Sequence, residues 1–188
     1  AAADAIACQQ GAGLMVASVS ALTSSGQAAS YYETAGEYYA DGGQSPSEWQ
    51  GKGAEELGLF GDVDRDQFRE LLDGKVADQQ LGTTRDGKLE HRPGWDVTLS
   101  APKSVSIMAE VAGDRRLIAA HGAAVKTALA HVESHMAATR IRDGGAVNRE
   151  ATGNLDVASF QHGTSRAQDP QLHTHNVILN ATKGEDGT

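Results

Sequence analysis

The sequence predicts an α+β fold in which an antiparallel β-sheet is flanked by helices. Three observations lead to this prediction. The composition, 39% hydrophobic and 22% charged, is that of a globular chain. Strand-like and helix-like segments interleave along the 188 residues without regular strand–helix–strand spacing. The last two strand-like segments are connected by the short loop Gly163–Leu172, through which they can pair antiparallel.

The first half of the chain is predicted to begin with a strand and a helix. Leu14–Ala21 alternates loosely between apolar and polar residues, which is typical of a strand. Ser24 or Ser25 is a suitable N-cap for a helix over residues 28–40, and the Asp-Gly-Gly sequence that follows would end it. This half is also expected to contain two short helices and a loop or frayed hairpin, at Ala54–Leu59, Asp64–Leu72 and residues 73–92.

The second half is predicted to contain strands on either side of two helices. A strand at Trp95–Leu99 ends at Ser-Ala-Pro, and a short helix follows over residues 103–111. Helical spacing of apolar residues predicts a longer helix from Asp114 to Thr139, broken by the Asp-Gly-Gly sequence at residues 143–145. Three further strands are expected, at Val147–Thr152, Leu155–His162 and Leu172–Thr182.

Charge and cysteine content restrict the classes of function only weakly. The net charge of −9 lies in residues 1–90, which carry 6 basic against 15 acidic residues, whereas residues 91–188 carry 10 of each. Charge alone therefore neither predicts nor forbids a nucleic-acid partner. Cys8 is the single cysteine, which excludes an intrachain disulfide or a thiolate zinc cluster. No apolar run is long enough to span a membrane and no signal segment is present, so a cytoplasmic protein without membrane insertion is expected.

Three histidines near the C-terminus indicate a metal site. His173 and His175 are two residues apart in a predicted strand, so both imidazoles lie on one face of it. His162 ends the preceding strand and can join them if the two strands pair antiparallel. Three histidine ligands leave a coordination position open, as a catalytic metal site requires. The alternative is that two exposed strand histidines lie beside an unrelated third one.

A second pair, His131 and His135, is one helical turn apart on the long helix. The glutamate between them is at neither position used by the helical zinc-protease motifs. We therefore interpret this pair as part of a solvated helix face.

All four tyrosines lie within nine residues and form two pairs. Tyr31 and Tyr38 are seven apart, as are Tyr32 and Tyr39, so on a helix each set projects in nearly one direction. A buried aromatic stripe is one interpretation, but the flanking residues are too polar for a core helix. Doubled tyrosines on a polar segment are suited to nucleophilic attack, and a phenol with a pKa of about 10 needs activation by a base or a metal. A metal held by three histidines would polarise a phosphate oxygen for such an attack.

Four motifs together resemble one known family. The histidine segments resemble those of the histidine–hydrophobic–histidine (HUH) endonucleases, with Thr174 in place of the central bulky residue. The doubled tyrosines, the segment Trp49-Gln-Gly-Lys-Gly and the segment Asp96-Val-Thr-Leu-Ser-Ala-Pro-Lys are similar to those of the MobF-type conjugative relaxases. The motifs occur in the family's order between Leu14 and Lys183.

The resemblance implies a fold and a function. The expected fold is the palm-like antiparallel sheet of HUH relaxases, incomplete at its C-terminus, with residues 14–188 as a truncated relaxase domain and residues 1–13 as a non-native or disordered prefix. The expected enzyme is a metal-dependent, site- and strand-specific DNA transesterase. It nicks the plasmid transfer origin, forms a covalent 5′-phosphotyrosyl–DNA intermediate and initiates conjugative transfer.

The resemblance also implies roles for individual residues. Tyr31 is the expected nucleophile and Tyr32 its substitute, whereas the second pair would serve a second transesterification. Asp96 would orient a metal-bound histidine or help to deprotonate the tyrosine. Lys103 and Arg166 would contact phosphate, although both are equally compatible with plain surface charges. The expected metal ligands are His162, His173 and His175.

The expected cofactor is a divalent ion, Mg²⁺ or Mn²⁺ by resemblance, although three nitrogen ligands favour later transition metals. The expected partners are single-stranded plasmid DNA at the transfer origin, relaxosome accessory proteins and a type IV secretion coupling protein. A helicase usually follows the relaxase domain. The protein would reside in the donor cytoplasm and be translocated with the DNA to the recipient.

Other functions fit parts of the pattern. A rolling-circle replication initiator or a transposase of the same superfamily would share the histidines, but the four tyrosines and the Trp49 segment favour a relaxase. An unrelated three-histidine zinc hydrolase would turn over a small substrate without a covalent DNA adduct. A non-catalytic DNA- or metal-binding module would be unaffected by changes to the tyrosines.

Overall fold

The computed structural model describes residues 15–26, 28, 46–143 and 146–184. Cys8 and residues 29–40 of the predicted tyrosine helix lie outside the described residues. The described elements, in chain order, are β1 (Val16–Ala21), β2 (Ser47–Gln50), α1 (Lys52–Glu56), α2 (Arg65–Leu72), β3 (Lys75–Val76), β4 (Gln79–Gln80), β5 (Thr83–Arg85), β6 (Lys88–Glu90), β7 (Gly94–Ser100), α3 (Lys103–Glu110), α4 (Arg115–Met136), β8 (Ala138–Asp143), β9 (Ala146–Ala151), β10 (Val157–Thr164) and β11 (Pro170–Leu179).

Five of the strands form the central sheet, in the order β1-β7-β11-β10-β2. Every neighbouring pair in this sheet is antiparallel, which confirms the predicted α+β fold with an antiparallel sheet. The central strand is β11, and its residues 172–179 are all buried because it has strands on both edges and helices against the sheet. A continuous buried run of this kind is expected of a strand covered on both faces.

One face of the sheet packs against α1 and α2. Its core contains Trp49 from β2 and Phe160 from β10, which meet Phe68 and Leu72 of α2. The Phe68 ring centroid lies 6.3 Å from that of Trp49 and 5.4 Å from that of Phe160, both at tilted, favourable angles. Ala28, three residues before the first tyrosine, is buried in this same core.

The opposite face packs against α3 and α4. Val125 and Leu129, one turn apart on α4, are buried against Leu99 of β7, Val157 of β10 and Ile178 of β11. The apolar residues that recur at helical spacing along α4 thus face the sheet, as predicted from the sequence. Asp114 caps the helix by accepting a hydrogen bond from the Arg116 backbone N–H.

Two stretches differ from the prediction in detail. The long helix ends at Met136 rather than Thr139, because Ala138–Asp143 forms a strand that pairs with Ala146–Ala151. Cross-strand pairing there outweighs the helical pattern. Residues 73–92, predicted as a loop or frayed hairpin, form two small two-stranded sheets, β3–β4 and β5–β6.

The Trp49-Gln-Gly-Lys-Gly segment has a structural explanation. Gly51 has a φ of 96°, and a Cβ on it would overlap the Leu155 carbonyl oxygen. A Cβ on Gly53 would lie 2.5 Å from a carboxylate oxygen of Asp156. Glycine is therefore required at both positions for α1 to approach the loop before β10. Glu133 of α4 joins the two segments, since its Oε1 accepts hydrogen bonds from the backbone N–H groups of Lys52 (2.7 Å) and Leu155 (3.0 Å).

Asp156→Asn is expected to raise the free energy of unfolding at pH 8 by about 1–3 kcal/mol. Asp156 is 3% exposed, and burial beside the carboxylates of Glu56 and Glu133 raises its pKa to about 6. A raised carboxyl pKa means that folding favours the protonated form. The contribution of the Asp156 carboxyl to stability is fully present below about pH 4, the pKa of an aspartate in the unfolded chain. It is lost as the pH rises through about 6, the pKa of Asp156 in the folded protein.

Urea unfolding of both proteins at pH 5 and pH 8 measures this effect. The advantage of the asparagine variant is expected to be larger at pH 8, and Asp62→Asn at an exposed position is the control. An equal advantage at the two pH values would contradict the assignment.

Candidate active site

Three buried histidines form a cluster on two adjacent strands of the sheet. His162 of β10 lies directly opposite His173 of β11, and His175 follows two residues later on the same face. The three ring centroids are 5.1–5.4 Å apart. One nitrogen from each ring lies within 4.8 Å of the other two, as required for ligands of one metal ion. The antiparallel pairing expected from the sequence is therefore what brings His162 to the other two.

Hydrogen bonds orient two of the three rings. His175 donates from Nδ1 to Oδ2 of Asp96 on β7, at 2.7 Å. His173 donates from Nδ1 to the carbonyl oxygen of Gln171, at 2.8 Å. With Nδ1 protonated in both rings, the lone pair on Nε2 is left for a metal. A carboxylate partner also makes the His175 imidazole a better ligand.

Burial favours the neutral form of two of the three rings. The pKa of His162 is lowered to about 3, first by burial and then by the nearby His175 and His173, with Asp96 acting in the opposite direction. Burial also lowers the pKa of His173. Neutral imidazole is the form that binds metals, so these two rings need lose no proton at neutral pH before binding an ion. Three convergent imidazole nitrogens with a carboxylate behind one of them fit a divalent metal ion.

Thr98 of β7 completes the hydrogen-bond network behind His175. Its Oγ1 lies 3.2 Å from Oδ1 of Asp96 and 3.0 Å from Nδ1 of His175. When the hydroxyl donates to Oδ1, both carboxylate oxygens of Asp96 are engaged and the carboxylate cannot rotate away from the imidazole. The sequence did not indicate this role, because Thr98 meets His175 only through the pairing of β7 with β11.

Thr98→Val is expected to weaken divalent metal binding by about 10-fold, since partners of metal ligands typically contribute 10- to 100-fold to affinity. Thr98→Ser keeps the hydroxyl and should bind nearly as well as the wild-type protein. Calorimetric titration with Mn²⁺ measures both affinities. If the valine and serine variants bind equally, the hydroxyl has no positioning role.

The two cations expected to contact phosphate both lie near the ends of the histidine strands. Lys103, exposed at the start of α3, donates from Nζ to the carbonyl oxygen of Pro170, the first residue of β11, at 2.9 Å. Arg166 is exposed in the turn between β10 and β11. The structure thus brings Asp96 together with the histidine cluster and places these two cations near the ends of β10 and β11. Tyr31, Tyr32, Tyr38 and Tyr39 lie outside the described residues.

Two buried polar groups contact β11 from the face of the sheet opposite the histidine cluster. His121 of α4 lies with its Nε2 3.0 Å from Oγ1 of Thr174, and burial lowers its pKa to about 4, with His173 contributing to the shift. Ser106 of α3 accepts a hydrogen bond from the backbone N–H of Leu172 at 3.0 Å. These contacts hold the residues on either side of His173. The only signal for them in the sequence is a polar residue at a helix position that faces the core.

The fold and the site together define a class of protein. A five-stranded antiparallel sheet with helices on both faces and three histidines on neighbouring central strands is the arrangement of a relaxase of the HUH type. The TrwC relaxase family model matches residues 25–188. The chain belongs to the TrwC relaxase family.

Similar proteins agree with this assignment. The multifunctional conjugation protein TraI of Escherichia coli is 49% identical over 167 residues, which are 88% of this chain and 9% of TraI. The conjugative relaxase TrwC in complex with oriT DNA, in a metal-bound structure, matches with a TM-score of 0.80 and 49% identity over 92% of this chain and 59% of that one. A copper-bound structure of the same complex matches with a TM-score of 0.80 and 50% identity, covering 60% of its chain.

The chain thus spans about a tenth of the length of TraI and about three-fifths of the TrwC chain. Within the part of the chain that the structure describes, no helix has the length and apolar character needed to cross a membrane.

Proposed function

We propose that this chain is the DNA-nicking part of a conjugative relaxase, a site- and strand-specific transesterase that cuts the plasmid transfer origin and starts conjugative transfer. The observation that carries the proposal is the buried cluster of three histidines backed by Asp96, on a fold that matches TrwC bound to oriT DNA at 49% identity. Residues 14–188 would form the relaxase domain, and residues 1–13 would lie outside it.

The reaction is a transesterification in which the number of phosphodiester bonds is conserved. The Tyr31 hydroxyl attacks the scissile phosphorus, a 5′-phosphotyrosyl bond forms, and the bond to the 3′ oxygen breaks. The phenol proton is lost and the departing 3′ oxygen gains one, with Asp96 as a candidate base. Tyr32 would substitute for Tyr31, and Tyr38 with Tyr39 would attack a second strand while the first remains attached.

His162, His173 and His175 would hold a divalent ion, which when bound supplies an electrophile that draws charge from the phosphate oxygens. We propose Mg²⁺ or Mn²⁺ as the working ion. Imidazole nitrogens bind later transition metals more tightly, and a copper-bound structure exists for the related TrwC. The ion with the highest affinity therefore need not be the one that supports turnover.

Lys103 and Arg166 are proposed to contact DNA phosphates beside the cluster. Neither carries base specificity by itself, because phosphate contacts position a strand without reading its sequence. The proposed partners are single-stranded transfer-origin DNA, relaxosome accessory proteins and a type IV secretion coupling protein. The protein would act in the donor cytoplasm, travel with the DNA into the recipient and be linked to a helicase.

Incubation with labelled single-stranded transfer-origin oligonucleotides and Mg²⁺ tests the proposal. The expected product is a protein–DNA adduct that survives denaturation, together with a free 3′-hydroxyl fragment. Relaxed linear duplex of the same sequence is the control and should not be cut, because a regular duplex does not present a bent, exposed phosphate. Metal-dependent hydrolysis without an adduct would support the zinc-hydrolase alternative, and cleavage confined to replication origins would indicate a rolling-circle initiator.

A further inference from the structure

A second pair of histidines lies on the outer surface of α4, away from the three-histidine cluster. His131 and His135 are both exposed, although they are on the same helix as the buried residues that pack on the sheet. Their ring centroids are 4.2 Å apart and their planes are inclined by only 27°. The rings are stacked, so their in-plane lone pairs run side by side in this conformation. Because residues four apart on a helix are neighbours on its surface, rotation of the two side chains can turn one nitrogen of each ring toward a shared ion without any movement of the backbone.

The hydrogen bonds of His135 leave its ring suited to metal binding. Its Nδ1 lies 2.9 Å from the carbonyl oxygen of His131, to which it donates, and 2.8 Å from the hydroxyl oxygen of Ser134. The carbonyl fixes the proton on Nδ1, so Nε2 carries the free lone pair. This is the same arrangement that orients His173 at the candidate active site.

We propose that His131 and His135 form a second metal site, a two-imidazole chelate for divalent transition ions such as Cu²⁺, Ni²⁺ and Zn²⁺. Mg²⁺ does not bind there, because it prefers oxygen ligands and retains its water. The remaining positions of the ion are filled by water or by a ligand from another molecule. This site is independent of the nicking activity.

The position on the helix influences the strength of this site in two opposite ways. The pair lies in the last turns of α4, which ends at Met136, and the partial negative charge at a helix C-terminus favours a cation. Arg149 donates from Nη2 to the Met136 carbonyl oxygen at 3.3 Å, and its charge opposes that of the ion. Arg149→Gln is therefore expected to strengthen binding at the pair and to leave the three-histidine cluster unchanged.

Titration of the intact chain with Zn²⁺, followed by calorimetry and by ¹⁵N spectra of the histidine side chains, tests the proposal. Two classes of site are expected in the wild-type protein, and the Nε2 resonances of His131 and His135 should shift together. His131→Ala and His135→Ala should each lower the Zn²⁺ affinity of the second class of site by about 100-fold, because only one imidazole is left and the gain from a second ligand at high effective concentration is lost. Both residues are exposed, so the fold should be retained, which circular dichroism checks.

His91→Ala, at a histidine on the loop before β7, is the matched control and should leave both classes intact. Mg²⁺-dependent nicking should be unaffected in all three variants, which separates this test from that of the proposed function. Binding of a single class in the wild-type protein, or a second class that survives both His131→Ala and His135→Ala, would overturn the proposal.

Discussion

Tyr31→Phe is expected to reduce the formation of the covalent DNA adduct by at least about 1,000-fold. The substitution keeps the aromatic ring and removes only the oxygen that would attack phosphorus. Binding of single-stranded DNA and folding should therefore remain close to those of the wild-type protein. The measurement is the rate of adduct formation on a labelled transfer-origin oligonucleotide, with affinity determined separately by fluorescence anisotropy.

The other tyrosines provide the controls. The residual activity of Tyr31→Phe should come from the neighbouring hydroxyl and vanish when Tyr32→Phe is added. Tyr38→Phe should leave the first cut intact and impair attack on a second strand. Mass spectrometry of the DNA-linked peptide locates the attachment directly. A linked peptide that lacks residues 31–39, or cleavage with no adduct at all, would remove the covalent mechanism.

His173→Ala is expected to weaken divalent metal binding by at least about 100-fold and to slow cleavage by about 1,000-fold. The imidazole is one of three convergent ligands, and its Nδ1 is held by the Gln171 carbonyl oxygen, so its removal leaves only two of the three histidine ligands. Excess EDTA should have the same effect on the wild-type protein. Calorimetry with Mn²⁺ and the cleavage rate in Mg²⁺ measure the two quantities.

Loss of a buried ring can also lower stability, so the free energy of unfolding must be measured for the same variant without metal. His91→Ala is again the matched control and should retain both binding and cleavage. If His173→Ala cuts DNA at the wild-type rate in excess EDTA, the metal hypothesis is wrong.

The histidine cluster could be predicted from the sequence because it depends on two local rules. A strand places His173 and His175 on one face, and a short connection to the preceding strand allows antiparallel pairing with His162. The amphipathic spacing of α4 was equally clear from local sequence. The end of that helix could not be predicted, because it is set by the pairing of β8 with β9, and helical spacing contains no information on contacts between strands.

The features of the site that the sequence did not predict depend on contacts between segments that are distant in the chain. The resemblance implied that Asp96 would contact a metal-bound histidine or help to deprotonate the tyrosine, without saying which histidine. The contact with His175 and the role of Thr98 both require the register of β7 against β11. The hydrogen bond between His121 and Thr174 joins residues 53 apart in the chain, and neither has a neighbour in sequence that signals it. The glycines at 51 and 53 matched a family motif, but their physical cause is the close approach of Leu155 and Asp156.

The central position of β11 links the histidine cluster to the cooperativity of the whole domain. Edge strands such as β1 and β2 can open locally, whereas β11 has a hydrogen-bonded strand on each side and can be released only when the sheet itself comes apart. Its amides should therefore exchange with solvent at the rate set by global unfolding. Any ion bound by His173 and His175 then raises the melting temperature of the entire sheet in proportion to the logarithm of its concentration, rather than rigidifying one loop.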